Sequence, residues 1–171
     1  METTAPSATA SIRDYFEADH NRLDELLRQF QQLKRIDFAK AKPFFREFKF
    51  GLQRHITWEE EILFPFFEQK TGSGGFGPTD VMRREHILIK ERLEEAHNFV
   101  KRSDPDGDIA ERSLEGVLAA HNAKEEIILY PALDVLSSEE ERNQILLALQ
   151  HIPEERYRVC CGGHVHPAGK A

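Results

Sequence analysis

The chain has 171 residues, 40% hydrophobic and 31% charged, with only 10 Gly and 8 Pro, a composition that fits one globular domain with room for a small appendage and excludes a collagenous, low-complexity or disordered chain. Lys and Arg number 23 against 30 Asp and Glu, a formal charge of −7 with a pI near 5.6, so the basic footprint of a nucleic-acid or anionic-membrane partner is missing. Cys160 and Cys161 are adjacent and close no useful disulfide loop, and the longest apolar runs, such as Ile62 to Phe67, are too short to span a bilayer. A soluble, cytoplasmic protein without an export signal or membrane anchor is expected.

Residues 1–10 are mostly Thr, Ala, Ser and Pro with little to bury, and read as a disordered lead. Helix one is predicted over about 11–34, opened by Ser11 as N-cap and carrying Phe16, Leu23, Leu27 and Phe30 at three- and four-residue steps. Asp37 caps a longer second helix that runs to about Lys70. The glycine-rich stretch TGSGGFGPT, Thr71 to Thr79, is the strongest break in the chain. Helix three then starts near Asp80, with Val81, Met82, Ile89 and Leu93 on its apolar stripe, and ends before the turn SDPDG at Ser103 to Gly107. Helix four spans about 108–136 with Ile109, Leu114, Leu118, Ile128 and Leu129 facing inward. Ser138 with Glu141 three residues on predicts a fifth, short helix over about 138–150. Pro65 and Pro131 each lack the N–H that would bond four residues back, and each is expected to kink or end its helix.

The predicted fold is therefore all-α: an up-down-up-down antiparallel four-helix bundle over 11–136, followed by a short C-terminal helix and a flexible Cys/His tail over 137–171. In that tail Cys160, Cys161, His164 and His166 form a plausible soft-metal claw.

Several polar residues lie on the apolar stripes, and they repeat. His20 to His55 and His86 to His121 are both 35 positions, and an offset of 66 places His20 on His86, His55 on His121, Glu59 on Glu125, Glu60 on Glu126 and Phe64 on Tyr130. The second and fourth helices carry the same phrase, HITWEEEILFP from His55 and HNAKEEIILYP from His121. Four residues along an α-helix rotate by only about 40°, so each His projects from the same face as its Glu. Single histidines from helices one and three complete a set of four imidazoles and two carboxylates: His20, His55, Glu59, His86, His121 and Glu125.

Burying that set in a bundle is costly without compensation, and metal ions supply it. The ligand count fits two ions. Mixed nitrogen and oxygen ligation suits iron, with manganese and zinc less suited. Tyr130 is expected to pack with its hydroxyl at a bundle edge, the alternative being a hydrogen bond donated at the ligand turn. The aromatic residues of helix two are read as core, and His97 and His151 as ordinary surface or partly packed residues.

These residues resemble the two motifs of the hemerythrin-like, or HHE cation-binding, family. EADH at Glu17 to His20 and RREH at Arg83 to His86 open the halves, and H-x-x-x-E-E with LFP or LYP closes them. The resemblance covers about residues 11–136 and implies a four-helix bundle with a non-haem di-iron centre on the six residues named. It also shows two departures. Oxygen carriers of the family have a further histidine where this chain has Lys90, and they use a carboxylate at the position of Glu126, which keeps Glu126 open as an alternative to Glu125. The pattern is closer to the non-carrier branches, which implies sensing, binding or handling of oxygen, nitric oxide, peroxide or iron, or else a di-iron enzyme for peroxide reduction or repair of damaged iron centres. A small diatomic or peroxide ligand is the expected partner. Of the two histidines that open the halves, only His20 is preceded by an E-x-x-H glutamate, Glu17, the equivalent place before His86 being Arg83, whereas a ferritin-like site carries two.

Overall fold

The structure, a computed structural model, describes residues 11–159. The disordered lead expected over 1–10 and the cluster of Cys160, Cys161, His164 and His166 lie outside the described residues. Helix α1 is Ile12–Leu33, α2 Phe38–Trp58, α3 Phe64–Thr71, α4 Pro78–Lys101, α5 Asp108–Lys124, α6 Tyr130–Leu136 and α7 Glu139–Gln150. Five-residue π turns, Glu59–Leu63 and Glu125–Leu129, join α2 to α3 and α5 to α6. Four long rods result, α1, α2–α3, α4 and α5–α6, packed as a bundle with α7 against its upper end.

Local chemistry sets the helix ends. Ser11 accepts from the Asp14 N–H at 2.9 Å and Asp37 from the Lys40 N–H at 3.1 Å, each relieving an orphan donor of a first turn. Ser138 and Glu141 form the reciprocal capping box of α7. Gly72, at φ 69°, supplies the left-handed residue that closes α3. The start of α1 is also tied across the fold, because Asp134 of α6 accepts from the Ile12 N–H at 2.7 Å and the Arg13 N–H at 3.1 Å.

The prolines do not break their helices. In each π turn the bond runs five residues back, from the Phe64 N–H to the Glu59 carbonyl and from the Tyr130 N–H to the Glu125 carbonyl. The widened turn places Pro65 and Pro131 in the first turn of the following helix, where a missing N–H costs nothing. The expected kinks are thus replaced by π turns. The extra residue also advances the inward stripe by one position: Leu63, Phe67 and Leu129 are buried, while Ile128 is 61% exposed. Ile128 was expected inside for lack of that shift. Val81 and Ile109, in the first turns of α4 and α5, are exposed as well.

Two apolar layers fill the bundle. The lower contains Leu27, Phe30, Phe45, Phe48, Leu93 and Leu114; the upper contains Phe16, Leu63, Phe64, Leu129, Leu133 and Leu146. Each buried Phe or Leu contributes about 1.5–3 kcal/mol relative to exposure. Gly51 lets α2 approach α1, since a Cβ there would stand 2.6 Å from a methyl of Leu23. The buried imidazoles and carboxylates occupy the level between the two layers.

Candidate metal centre

All six residues of the repeated set meet at this level, and each is at most 5% exposed. His20 and His55 bring their Nε2 atoms to 3.0 Å of each other, and His86 and His121 bring theirs to 3.1 Å. Glu59 lies between the pairs, with Oε1 3.6 Å from His55 Nε2 and Oε2 3.2 Å from His86 Nε2. Glu125 does the same from the other side, with Oε1 3.0 Å from His121 Nε2 and Oε2 3.5 Å from His20 Nε2. Two groups of candidate ligand atoms follow, Glu59, His86, His121 and Glu125 in one, His20, His55 and Glu125 in the other. Glu125 belongs to both.

The outer nitrogen of every one of these histidines is held by a carboxylate. Asp19 takes His55 Nδ1 at 3.0 Å and Glu85 takes His121 Nδ1 at 2.8 Å. Glu126 takes His20 Nδ1 at 2.7 Å and Glu60 takes His86 Nδ1 at 2.9 Å. The arrangement repeats with the same offset of 66 and crosses between the halves, because the acid beside each glutamate serves the histidine of the other half. Glu126, open in the sequence as an alternative ligand, therefore sits outside the cluster on His20, while Glu125 faces inward. Glu17 of the E-x-x-H ion-pairs with Arg13 and stays outside, and Lys90 lies 3.4 Å from Glu60 on the outer side.

The electrostatics follow from burial and close opposite charge. Burial alone would depress the His55 imidazole, but Glu59 and Asp19 outweigh it and raise it to about 10. His86 rises to about 9 because Glu59 and Glu60 overcome its burial. His121 also rises, burial being offset by Glu125. Glu59 falls well below the usual carboxylate range despite complete burial, held there by His55 and His86. Asp19 falls to about 2, its burial outweighed by His55 and Arg22.

Tyr130 corrects the preferred sequence reading and agrees with its alternative. It is fully buried, not at a bundle edge, and its hydroxyl stands 2.6 Å from Glu59 Oε1 and 3.0 Å from Glu125 Oε2. Burial and the two carboxylates push its pKa well above 10. Five residues after Glu125 an α-helix would turn it about 140° away; the π turn brings it above that residue. Phe64, its counterpart in the repeat, stacks flat on His86 with ring centroids 5.6 Å apart. Of the two histidines without a counterpart in the repeat, half-buried His97 stacks on Phe45.

A metal ion fits this donor set. With each Nδ1 engaged by an outer carboxylate, the four Nε2 atoms point inward together with Glu59 Oε2 and Glu125 Oε1, which face His86 and His121 Nε2 at 3.2 and 3.0 Å, and a metal that displaces the Nε2 protons meets six ligand atoms on one space. The Tyr130 hydroxyl is the single neutral donor in their midst. Carboxylate–histidine pairs of this kind orient imidazole ligands and raise their basicity. Glu60 and Glu126 belong to the repeat without their holding role being legible there, and Asp19 and Glu85, directly before His20 and His86, carry a signal in their position that went unused.

A small cavity of about 10 Å³ touches the cluster, walled by Leu23, Phe48, Leu52 and Leu118 beside His20 and His121. Among the described residues no helix is long and apolar enough to cross a membrane.

The hemerythrin HHE cation-binding domain model matches residues 11–133. An uncharacterized hemerythrin-like protein of Schizosaccharomyces pombe is 28% identical over 92% of this chain and 73% of its own length. A DNA nickase of Nostoc is 29% identical over 76% of this chain and 36% of its own. An iron-sulfur cluster repair protein of Enterobacter is 30% identical over 55% of this chain and 46% of its own. The chain thus spans less than half the length of the nickase and the repair protein. No solved structure matches. The repeated His/Glu motifs, the all-helical fold that brings them to one level and the match over residues 11–133 together make this chain a member of the hemerythrin HHE cation-binding family.

Proposed function

We propose that the protein holds two iron ions at this centre and uses them to bind or sense a small ligand such as dioxygen, nitric oxide or peroxide. The observation that carries this reading is the convergence of ligand atoms: four imidazole Nε2 atoms and two buried carboxylates meet around one hydroxyl. A cation is the compensation such a set requires. Two ligand groups joined by Glu125 support two ions in place of one, and mixed imidazole and carboxylate donors support iron. When bound, the iron pair supplies an open, redox-active position for a small ligand.

The chain's own residues do the rest. Asp19, Glu60, Glu85 and Glu126 hold the Nδ1 protons so that the Nε2 lone pairs turn inward. The apolar wall around the 10 Å³ cavity excludes bulk water and leaves about the space of one water molecule. Tyr130 holds a proton between Glu59 Oε1 and Glu125 Oε2.

Anaerobic iron titration of the purified protein tests the reading, with bound iron counted per chain and the spectrum followed as oxygen is admitted. Two irons per chain with a near-ultraviolet band that reverses on removing oxygen is the expected result. Failure to bind stoichiometric iron sinks it. A second reading, peroxide reduction or repair of damaged iron centres, draws on the Tyr130 proton and on the likeness to proteins named for iron-sulfur cluster repair. Steady peroxide consumption in the presence of a reductant is its expected signature.

A further inference from the structure

A second cleft lies on the other side of Asp19. It has a volume of about 520 Å³, within the range of small-molecule sites. Tyr15 and Ala18 of α1 and Trp58 of α2 form one wall, and Leu149, Ile152 and Tyr157 form the other. The second wall lies beyond the residues that match the family domain, so the cleft is built by the C-terminal extension of this chain. The Trp58 indole N–H donates to the Leu149 carbonyl at 3.0 Å and fixes α7 in place.

The charge of the cleft is unbalanced. Arg22 donates to Asp19 Oδ1 at 2.8 Å, and Arg54 Nη2 donates to the same oxygen at 3.3 Å, so two guanidinium groups share one carboxylate that already serves His55. Arg54 Nε is buried without a hydrogen-bond partner, and its guanidinium lies 4.4 Å from the Trp58 ring. In an adjoining hollow Arg158 is paired with Glu154, and Glu47 faces the same space. The imbalance in the main cleft is one positive charge in a protein whose net charge is −7.

We infer that this cleft binds a small monocarboxylate with an apolar or aromatic body, its carboxylate on Arg22 and Arg54 and its body between Trp58 and Tyr157. A planar carboxylate matches the guanidinium fork. One negative charge completes the balance, whereas a dianion such as phosphate is opposed by Asp19. The aromatic and aliphatic walls offer a larger anion its apolar contacts, and inorganic ions leave them unused.

The test titrates the full-length protein with cyclohexanecarboxylate while following the emission of Trp58, the single tryptophan of the chain. A saturable change with a Kd below about 1 mM is expected. Arg54→Gln weakens it about tenfold. Ala18→Phe, which fills the cleft from an exposed position of α1 and leaves both arginines in place, abolishes it, with circular dichroism confirming that each variant folds. Neutral cyclohexylmethanol and inorganic phosphate give no saturation in the same range. No saturable response to cyclohexanecarboxylate overturns the proposal. So does phosphate binding of equal strength that survives Ala18→Phe, which would reduce the site to an exposed arginine pair.

Discussion

Two buried ionic clusters stand at different levels of the bundle, and they differ in how many groups able to hold a metal face one space. At the lower end Lys34, 3% exposed, directs its ammonium at Glu111 Oε1 and Oε2 at 2.7 and 2.9 Å and at Asp108 Oδ1 at 2.9 Å. Three N–H donors meet three oxygens, and the cluster is complete within the chain. At the middle level four imidazole Nε2 atoms and two carboxylates surround one hydroxyl, and in the metal-free chain protons on the imidazoles hold the set together. Burial of charge therefore does not distinguish a metal centre from a structural ion pair. The number of imidazole and carboxylate ligand atoms facing one space does.

That contrast can be broken from either side. The largest effect is expected from Glu125→Ala, which removes the carboxylate common to both ligand groups: stoichiometric iron binding is lost, as measured by metal analysis after anaerobic loading. Lys34→Met leaves Glu111 buried without its counter-charge and should cost about 3–5 kcal/mol in urea unfolding, with the iron content per folded chain unchanged. Equal loss of iron in Lys34→Met would show that the two clusters are not independent.

Apoprotein stability has a specific pH dependence. His55 is raised from 6.5 to about 10, so its contribution is complete below about pH 6.5 and is lost as pH rises through about 10. The urea unfolding free energy of the metal-free protein should fall across that window by on the order of a few kcal/mol, and the urea midpoint with it. Loaded protein should not follow, because metal occupies the lone pairs that the protons held. An apoprotein midpoint that rises over the same window would contradict the assigned charges.

Smaller effects sharpen the picture. Glu85→Ala frees His121 Nδ1 and should weaken metal binding about 10–100-fold without changing the stoichiometry. Tyr130→Phe should leave iron loading intact and cost the apoprotein about 1–2 kcal/mol for the lost hydroxyl bonds, read by urea unfolding beside metal analysis. If loading also fails, Tyr130 acts as a ligand.

Much of the fold was legible because its signals are local. Ser11, Asp37 and Ser138 announce helix starts through side chains that reach only three residues ahead. The offset of 66 brought out the six inward residues together with Glu60 and Glu126, and the packing of the helices separates the inward glutamates from the outer ones. Tyr130 escaped because its direction depends on a π turn. Pro131 signalled a disturbance there, but a proline removes an N–H without saying whether the helix will end, bend or widen. The same shift by one residue turned Ile128 out and Leu129 in.

By itself the sequence determined the helical class, the caps, and the identity and pairing of His55 with Glu59 and His121 with Glu125, all of which follow from spacings of three and four residues on one helix. The tertiary structure alone decided which acid holds which imidazole. His20 and Glu126 are 106 positions apart and meet only because helices from opposite halves pack side by side. It also decided the Arg22 and Arg54 cleft, whose far wall comes from residues 149–157 folding back over α1 and α2. Periodicity reports the face of a helix that turns inward, whereas contacts between helices depend on their axial register, which packing of side chains across the core sets.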